Sequence, residues 1–399
     1  MKNTLKRVLV LDANQRSALA VTRSLGKRGI QVLTSEETPT ALASSSTFSI
    51  QHFTYPSPRK NPEQFIESLS NTVSEQHIDI LLPMTELTTT LLLMHQDSFP
   101  DVTIPFPDMS TVESLTNKCT LMRMAQSLDI PVPHTWYANS HDNLPCKLED
   151  LPYPIVLKPG KSWLFHEGQW SRAAVRFADN PVEAKNILDS YWAFSAHPFM
   201  IQENVTGHGA GVFTIYDNGK PLALFAHRRL REKPPSGGVS VLSESIPVDH
   251  KLGSHAQTLL QNVNWHGVAM VEFKVALDGT PYLMEINTRF WGSLQLAIDA
   301  GVDFPYMLYQ LACGEQPIPV TEYKTGIKLR WLLGDLDNLY LTLRNKHTSF
   351  GSKIGALVHF FTPSTIRTRH EVNRIGDLKP FWYEVQQYFR DILGSKPNH

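Results

Sequence analysis

Cysteine is scarce, with three in 399 residues at positions 119, 146 and 313 and no close pair among them. That spacing supports neither a disulfide framework nor a cysteine-held zinc site. No apolar run approaches the roughly 18 residues of a membrane span. The apolar stretch at residues 8–11 is too short for a signal-peptide core and reads as a first strand. Neither charge dominates: 37 Lys and Arg stand against 38 Asp and Glu, for a net charge of -1. A balanced chain removes the whole-molecule electrostatic argument for nucleic acid or an anionic membrane as partner. Internal repeats and low-complexity segments are missing. The 16 histidines are scattered and form no zinc set. Neither a Gly-x-Ser-x-Gly elbow nor a Walker loop occurs. What remains is a cytoplasmic, enzyme-sized chain, 42% hydrophobic and long enough for two or three domains.

The first part alternates strand and helix. Strands are expected at 7–12, 31–34, 79–83 and 102–106, and helices at 17–28, 62–76 and 110–128. Alternation without hairpin turns argues for a parallel sheet covered on both faces. The loop after the first strand reads Asp12-Ala13-Asn14-Gln15-Arg16-Ser17. It lacks the glycines that let a dinucleotide's pyrophosphate approach, so NAD is not expected there. Residues 131–133 and 139–145 read as a linker. Beyond them, Pro154-Ile155-Val156-Leu157-Lys158 is a strand ending in lysine, with 173–178 as its hairpin partner, a helix at 181–194 and a strand at 199–205. Asn218-Gly219 and Asp278-Gly279 are hairpin signals. The tail from 324 to 389 is basic and aromatic. Four units are expected: 1–115, 116–206, 207–320 and a C-terminal extension, 321–399.

The hairpin around Asp278-Gly279 carries the chemistry. With those two residues as a tight turn, Glu272 lies directly opposite Glu285, and Asn287 and Arg289 share that face. Val271, Phe273, Val275, Met284 and Ile286 make the other, apolar face. Carboxylates placed opposite each other repel, so neutralising either should be neutral or stabilising without metal. A divalent cation such as Mg²⁺ or Mn²⁺, shared with substrate phosphates, would also satisfy them, with Asn287 adding an oxygen and Arg289 gripping phosphate. The other reading is two solvated acids with Arg289 as their counter-ion.

Val271-Glu272-Phe273, a turn, then Met284-Glu285-Ile286-Asn287-Thr288-Arg289 resembles the metal-binding signature of the ATP-grasp superfamily, and the order of segments over about residues 5–315 is similar to its carboxylate–amine ligases. The resemblance implies a Rossmann-like domain before the grasp, α/β in class, followed by a two-subdomain α+β ATP-grasp fold. It implies ATP with Mg²⁺ or Mn²⁺ held by Glu272, Glu285 and Asn287. Lys158 and Arg289 would act on the transferred phosphoryl group. Nucleotide contacts would come from Lys118, Lys158, Gln202, Glu203, Val205 and Arg289, the hinge at 202–205 meeting the adenine edge. Where relatives often carry a ribose-binding acid, this chain has Gly207-His208-Gly209-Ala210-Gly211. Two loops, 159–162 onward and 233–240, are candidates to cover the reaction. On the strand His227-Arg228-Arg229-Leu230-Arg231, alternation puts Arg229 and Arg231 on one face, and one set could meet an anionic substrate. The implied activity joins a small-molecule carboxylate to an amine, in a monomer or a homodimer, without nucleic acid or membrane. Biotin-carboxylase-like carboxylation and a nucleotide-binding regulator without turnover stay open.

Overall fold

The computed structural model describes residues 6–235, 237–362 and 367–394. The first domain is β1 (Val8–Val10), α1 (Arg16–Gly26), β2 (Val32–Glu36), β3 (Ser49–Thr54), α2 (Pro62–Glu75), β4 (Ile80–Leu82) and α3 (Glu86–Met94). Its sheet is parallel, in the order β3-β2-β1-β4. β1 and β4 are buried along their whole length, as the unbroken apolar runs of a two-sided parallel sheet require. Asp12 ends the run after β1 and is buried. Its carboxylate accepts from the backbone N–H groups of Met84 and Thr85, both 2.9 Å, and from the Thr88 hydroxyl at 2.6 Å.

Several elements differ from the sequence expectation: β3 was not anticipated, and the one helix expected at 181–194 is two, Pro181–Ser190 and Trp192–Ala196. Residues 102–106 make only a single bridge, Thr103 to Ile80, in a segment where Pro105 has no N–H for a ladder. The single helix expected at 110–128 is two, α4 (Met109–Thr116) and α5 (Lys118–Ser127). Asn117 is extended between them, and its side chain accepts from the N–H groups of Cys119 and Thr120.

The next sheet holds β5 (Thr135–Ala138), β6 (Ile155–Pro159), β9 (Arg176–Ala178) and β10 (Phe199–Glu203), ordered β5-β10-β6-β9 and antiparallel. β9 does pair with β6, but not as a hairpin, because the ribbon β7 (Trp163–His166) and β8 (Gln169–Arg172) intervenes. That ribbon reaches the first domain, where the Trp170 N–H donates to the Arg59 carbonyl at 2.9 Å. Helices α6 (Pro181–Ser190) and α7 (Trp192–Ala196) close this unit over a core of Ile155, Leu157, Leu188, Phe194, Phe199 and Ile201.

A seven-stranded sheet follows. Its strands are β11 (Gly207–Asp217), β12 (Lys220–Lys233), β13 (Val239–Ile246), β14 (Gly267–Ala276), β15 (Pro281–Asn287), β16 (Lys328–Arg330) and β17 (Thr368–His370). The order is β15-β14-β11-β12-β13-β16-β17, antiparallel except for the last pair. Asn218 and Gly219, with φ of 45° and 77°, make the left-handed turn that joins β11 to β12. One face of the sheet packs on α8 (His250–Asn262) through Val212, Tyr216, Val271, Phe273 and Ile286. The other face meets α9 (Leu294–Ala300) and α10 (Phe304–Ala312) in a core shared with α1 of the first domain. The helices α11 (Leu332–Arg344), α12 (Phe350–Phe361) and α13 (Lys379–Gly394) complete the chain.

The C-terminal segment is tied back to the start. Arg23, 2% exposed, donates to the Asp377 carboxylate at 2.7 Å and to the carbonyls of Glu371, Val372 and Asp377. Asp377 also accepts from the Ser46 hydroxyl and the Thr47 N–H. No helix among the described residues is long and apolar enough to cross a membrane.

Candidate functional site

The β14–β15 hairpin places Glu272 opposite Glu285, yet by a different route from the two-residue turn. The connection is a three-residue loop, in which the Ala276 N–H bonds the Thr280 carbonyl and Gly279, at φ 85°, supplies the left-handed closing position. A bulge between Glu272 and Phe273 then shifts the register back. The bulge also turns Met284 out of the apolar set. It is half-buried, with its sulfur 3.8 Å from the Lys158 ammonium, instead of facing the core.

The Asn287 amide nitrogen donates to Glu272 at 3.0 Å and to Glu285 at 3.4 Å. Its oxygen accepts from Arg289 at 3.1 Å, while a second Arg289 nitrogen holds the Phe290 carbonyl. Lys158 lies on β6 with its side chain on the face opposite Leu157, which enters the core under α6 and α7. Lys118 opens α5, a position where the helix dipole disfavours a cation. Its ammonium lies 3.4 Å from Glu285 and 3.1 Å from the Ser162 hydroxyl, and its own N–H donates to the Gly160 carbonyl. The break at Asn117 thus aims Lys118 into the site and ties the 159–162 loop to it. Lys161 pairs with Glu113.

The two acids are not equivalent. Burial and the facing Glu285 push the Glu272 carboxyl up, against the pull of Arg229. Burial pushes Glu285 up as well, but Lys118 and Lys158 outweigh it and hold that carboxyl below its usual range. Lys158 falls to about 8, chiefly through burial, with Lys118 adding to the fall and Glu285 opposing it.

Arg229 donates to Glu272 at 3.2 Å and to Glu232 at 3.0 Å. It joins the site, but Arg231 does not share its role. β12 is irregular between them, and Arg231 makes two 2.6 Å bonds to the buried Asp335. His227, opposite Gly211, bonds Ser293 at 2.8 Å just beyond Arg289 and is held neutral, pushed down to about 3 by burial. The sequence showed Arg229 only as one side of an alternating basic strand and Ser162 only as part of a candidate covering loop, with no signal for Met284 as a neighbour of the lysines.

Lys118, Lys158, Glu272, Glu285, Asn287 and Arg289 therefore come together. The hinge residues do not join that network. Gln202 is 1% exposed and donates to the Thr135 hydroxyl, and Glu203 accepts from the His134 N–H. Val205 lies just past β10, its amide without a partner among the described residues. The 233–240 loop joins β12 to β13, and Lys233 is held by Asp337. Ser236 of that loop lies outside the described residues.

The donor set fits a hard cation: two facing carboxylates, one of them raised by burial and by the other, and an amide whose rotation presents its oxygen. No cluster of three or more His, Cys, Asp or Glu occurs among the described residues, so further oxygens would come from a ligand.

The family model described as "ATP-grasp in the biosynthetic pathway with Ter operon" matches residues 195–334. Among solved structures, the chain is similar to a biotin carboxylase in complex with β,γ-ATP from Campylobacter jejuni, at 17% identity and TM-score 0.62, over 82% of this chain and 74% of that one. The chain has the ATP-grasp fold. An L-amino acid ligase from Bacillus licheniformis aligns at 16% identity and TM-score 0.60, over 77% of this chain and 74% of that one. An N5-carboxyaminoimidazole synthetase from Staphylococcus aureus aligns at 14% and 0.61, over 86% and 88%. No curated protein sequence matches. The parallel domain followed by two antiparallel sheets is the ATP-grasp order, as the hairpin signature implied.

Proposed function

We propose that this chain is an ATP-dependent ligase that activates a small-molecule carboxylate as an acyl-phosphate and couples it to an amine, releasing ADP and phosphate. One observation carries the reading. Three cations, Lys118, Lys158 and Arg289, converge on a facing carboxylate pair where the smaller antiparallel sheet meets the larger one.

Each residue has a definable task. Lys158 is buried and desolvated, so its ammonium gains from an anionic oxygen what it lacks from water. Lys118, already beside Glu285, offers a second charge from a fixed helix start. Arg289 is held by the Phe290 carbonyl, and turning the Asn287 amide toward a cation releases the Arg289 nitrogen from which its oxygen now accepts, freeing that side of the planar fork for phosphate oxygens. Magnesium or manganese, held by Glu272, Glu285 and the turned Asn287 amide, would neutralise charge on the terminal phosphates when bound.

The substrate carboxylate oxygen forms a bond to the γ-phosphorus as the bond to the β,γ-bridging oxygen breaks and ADP leaves. The amine then bonds the acyl carbon, phosphate departs with the former carboxylate oxygen, and released phosphate takes the amine proton. The β7–β8 ribbon, reaching the first domain, supports exclusion of water from the acyl-phosphate. Val205 and the Glu203 strand end would meet the adenine edge.

The named activities of the Bacillus licheniformis and Campylobacter jejuni proteins support ligation and carboxylation respectively. The carboxylase reading shares the phosphoryl step and differs in its acceptor. A screen of amino acids and amines, with and without bicarbonate, for stimulated ADP and phosphate release separates them when products are identified by mass. AMP and pyrophosphate as products would remove the acyl-phosphate mechanism.

A further inference from the structure

The balance of charge over the whole chain conceals a segregated segment. Between Asn338 and His370 there is no Asp or Glu, while Arg344, Lys346, Lys353, Arg367 and Arg369 are all cationic. None of those five takes part in an ion pair among the described residues. At the centre lies α12, packed on α11 yet without one buried residue.

The apolar residues of α12 are arranged on one side. Phe350, Ile354, Leu357, Val358 and Phe361 recur at helical spacing and cover an arc of about 100°. All five are exposed, Phe350 at 79% and Phe361 at 73%. The less exposed positions, Lys353, Gly355, Ala356 and Phe360, leave that stripe free, and Ala356 and Phe360 line a crevice with Leu230 of β12 and Leu339 of α11. A wide apolar stripe with cations around it and no acids is the pattern of a helix lying in a lipid interface.

We propose that α12 and its basic flanks dock on the anionic surface of a lipid bilayer. The stripe would sink into the headgroup boundary while Arg344, Lys346 and Lys353 meet lipid phosphates and carboxylates. Charge complementarity selects this occupant. A second copy seated on the same stripe about a two-fold axis would set five cations against five, with no acid in the segment to receive them. This surface is separate from the ligase site and does not depend on that reading.

The test is flotation of the full-length chain with vesicles of phosphatidylcholine alone and of phosphatidylcholine with about one-third phosphatidylserine. The chain should float with the anionic vesicles, more weakly as salt rises, and not with the neutral ones. Lys346→Glu with Lys353→Glu should weaken binding at least about tenfold, since each basic residue near such a surface contributes about fivefold. Phe350→Ser with Phe361→Ser should abolish it. Phe350, Phe361 and Lys346 are exposed and Lys353 is half-buried, and none of them takes part in the ligase site, so the melting temperature of both variants and their response to ATP with magnesium should match the wild type. No flotation with anionic vesicles, equal flotation with neutral ones, or unchanged binding by the variants would overturn the proposal. So would a concentration-dependent dimer that Phe350→Ser with Phe361→Ser dissociates, which would assign the stripe to a second copy.

Discussion

Glu272 and Glu285 look interchangeable in the sequence, as two acids facing each other across a hairpin, and repulsion alone would make either glutamine variant harmless or stabilising. Their surroundings separate them. Glu285 is the counter-charge of Lys118 and beside the buried Lys158, so Glu285→Gln leaves two cations without their carboxylate. It should cost about 1–2 kcal/mol in nucleotide-free protein, less than a fully buried pair because Glu285 is partly exposed. Glu272→Gln removes the carboxyl that burial and its neighbour already disfavour, while Arg229 keeps Glu232. It should be neutral or slightly stabilising when both variants are unfolded in urea without nucleotide, and equal losses in the two variants would contradict the asymmetry. Lys158 makes a second residue-scale prediction. Its folded pKa of about 8 lies below the ordinary 10.5, so between those values the unfolded chain holds the proton that the folded chain has released. Stability without nucleotide should therefore rise with pH from about 8 to about 10.5. On the proposed role of Lys158, the ammonium that meets phosphate is lost over the same range, so the KM for ATP should climb above pH 8. Lys158→Arg keeps its charge there, and a wild-type-like climb in that variant would show that another group is responsible.

At the scale of elements, the Arg23–Asp377 contact joins α1 to the segment before α13, although the two lie at opposite ends of the chain. Asp377→Asn would leave a buried guanidinium without its charge partner and should destabilise the fold by about 3–5 kcal/mol. The contact holds the Asp377 carboxyl below its usual range, because Arg23 and the Thr47 and Ser46 donors outweigh burial. Its contribution is therefore present above the ordinary carboxylate pKa and lost as pH falls through the lower folded value, a dependence that acid titration of the asparagine variant should lack. The elements also mark what the sequence could reveal. Strands β1, β4, β6 and β10 were legible because apolar runs bounded by turn residues leave few alternatives, and the Asn218-Gly219 hairpin because its turn demands those residues. The pairing of Glu272 with Glu285 was read correctly through two compensating departures, a longer loop and a bulge, neither of which leaves a pattern in composition. Met284 and Arg231 were misplaced for the same reason, since strict alternation holds only between bulges. Lys118 was expected at the nucleotide through the resemblance alone, because periodicity ran through Asn117 and only the cap shows the break that aims the side chain.

Over the whole molecule, two sheets and a helix meet around one set of charges: β6 brings Lys158, the start of α5 brings Lys118, and the β14–β15 hairpin brings both acids, Asn287 and the approach to Arg289. No single unit holds the site, so the signature on the hairpin could be recognised from the sequence while the convergence of the lysines rested on the fold. The shared core beneath α1, α9 and α10 ties the first domain to the large sheet. The central claim is that the facing carboxylates hold the cation through which ATP is bound. The most direct measurement is the melting temperature with ATP alone, magnesium alone and both together, in the wild type and in the Glu272→Gln/Glu285→Gln double variant. Ligand binding to the native state should raise the wild-type melting temperature only modestly with either component alone and further with both, growing with ATP concentration and reaching about 2.7 kcal/mol of stabilisation at a hundred times the Kd. The double variant should lose the magnesium-dependent part. A magnesium-dependent shift of wild-type size in the double variant, or no shift in the wild type at millimolar ATP, would contradict the account.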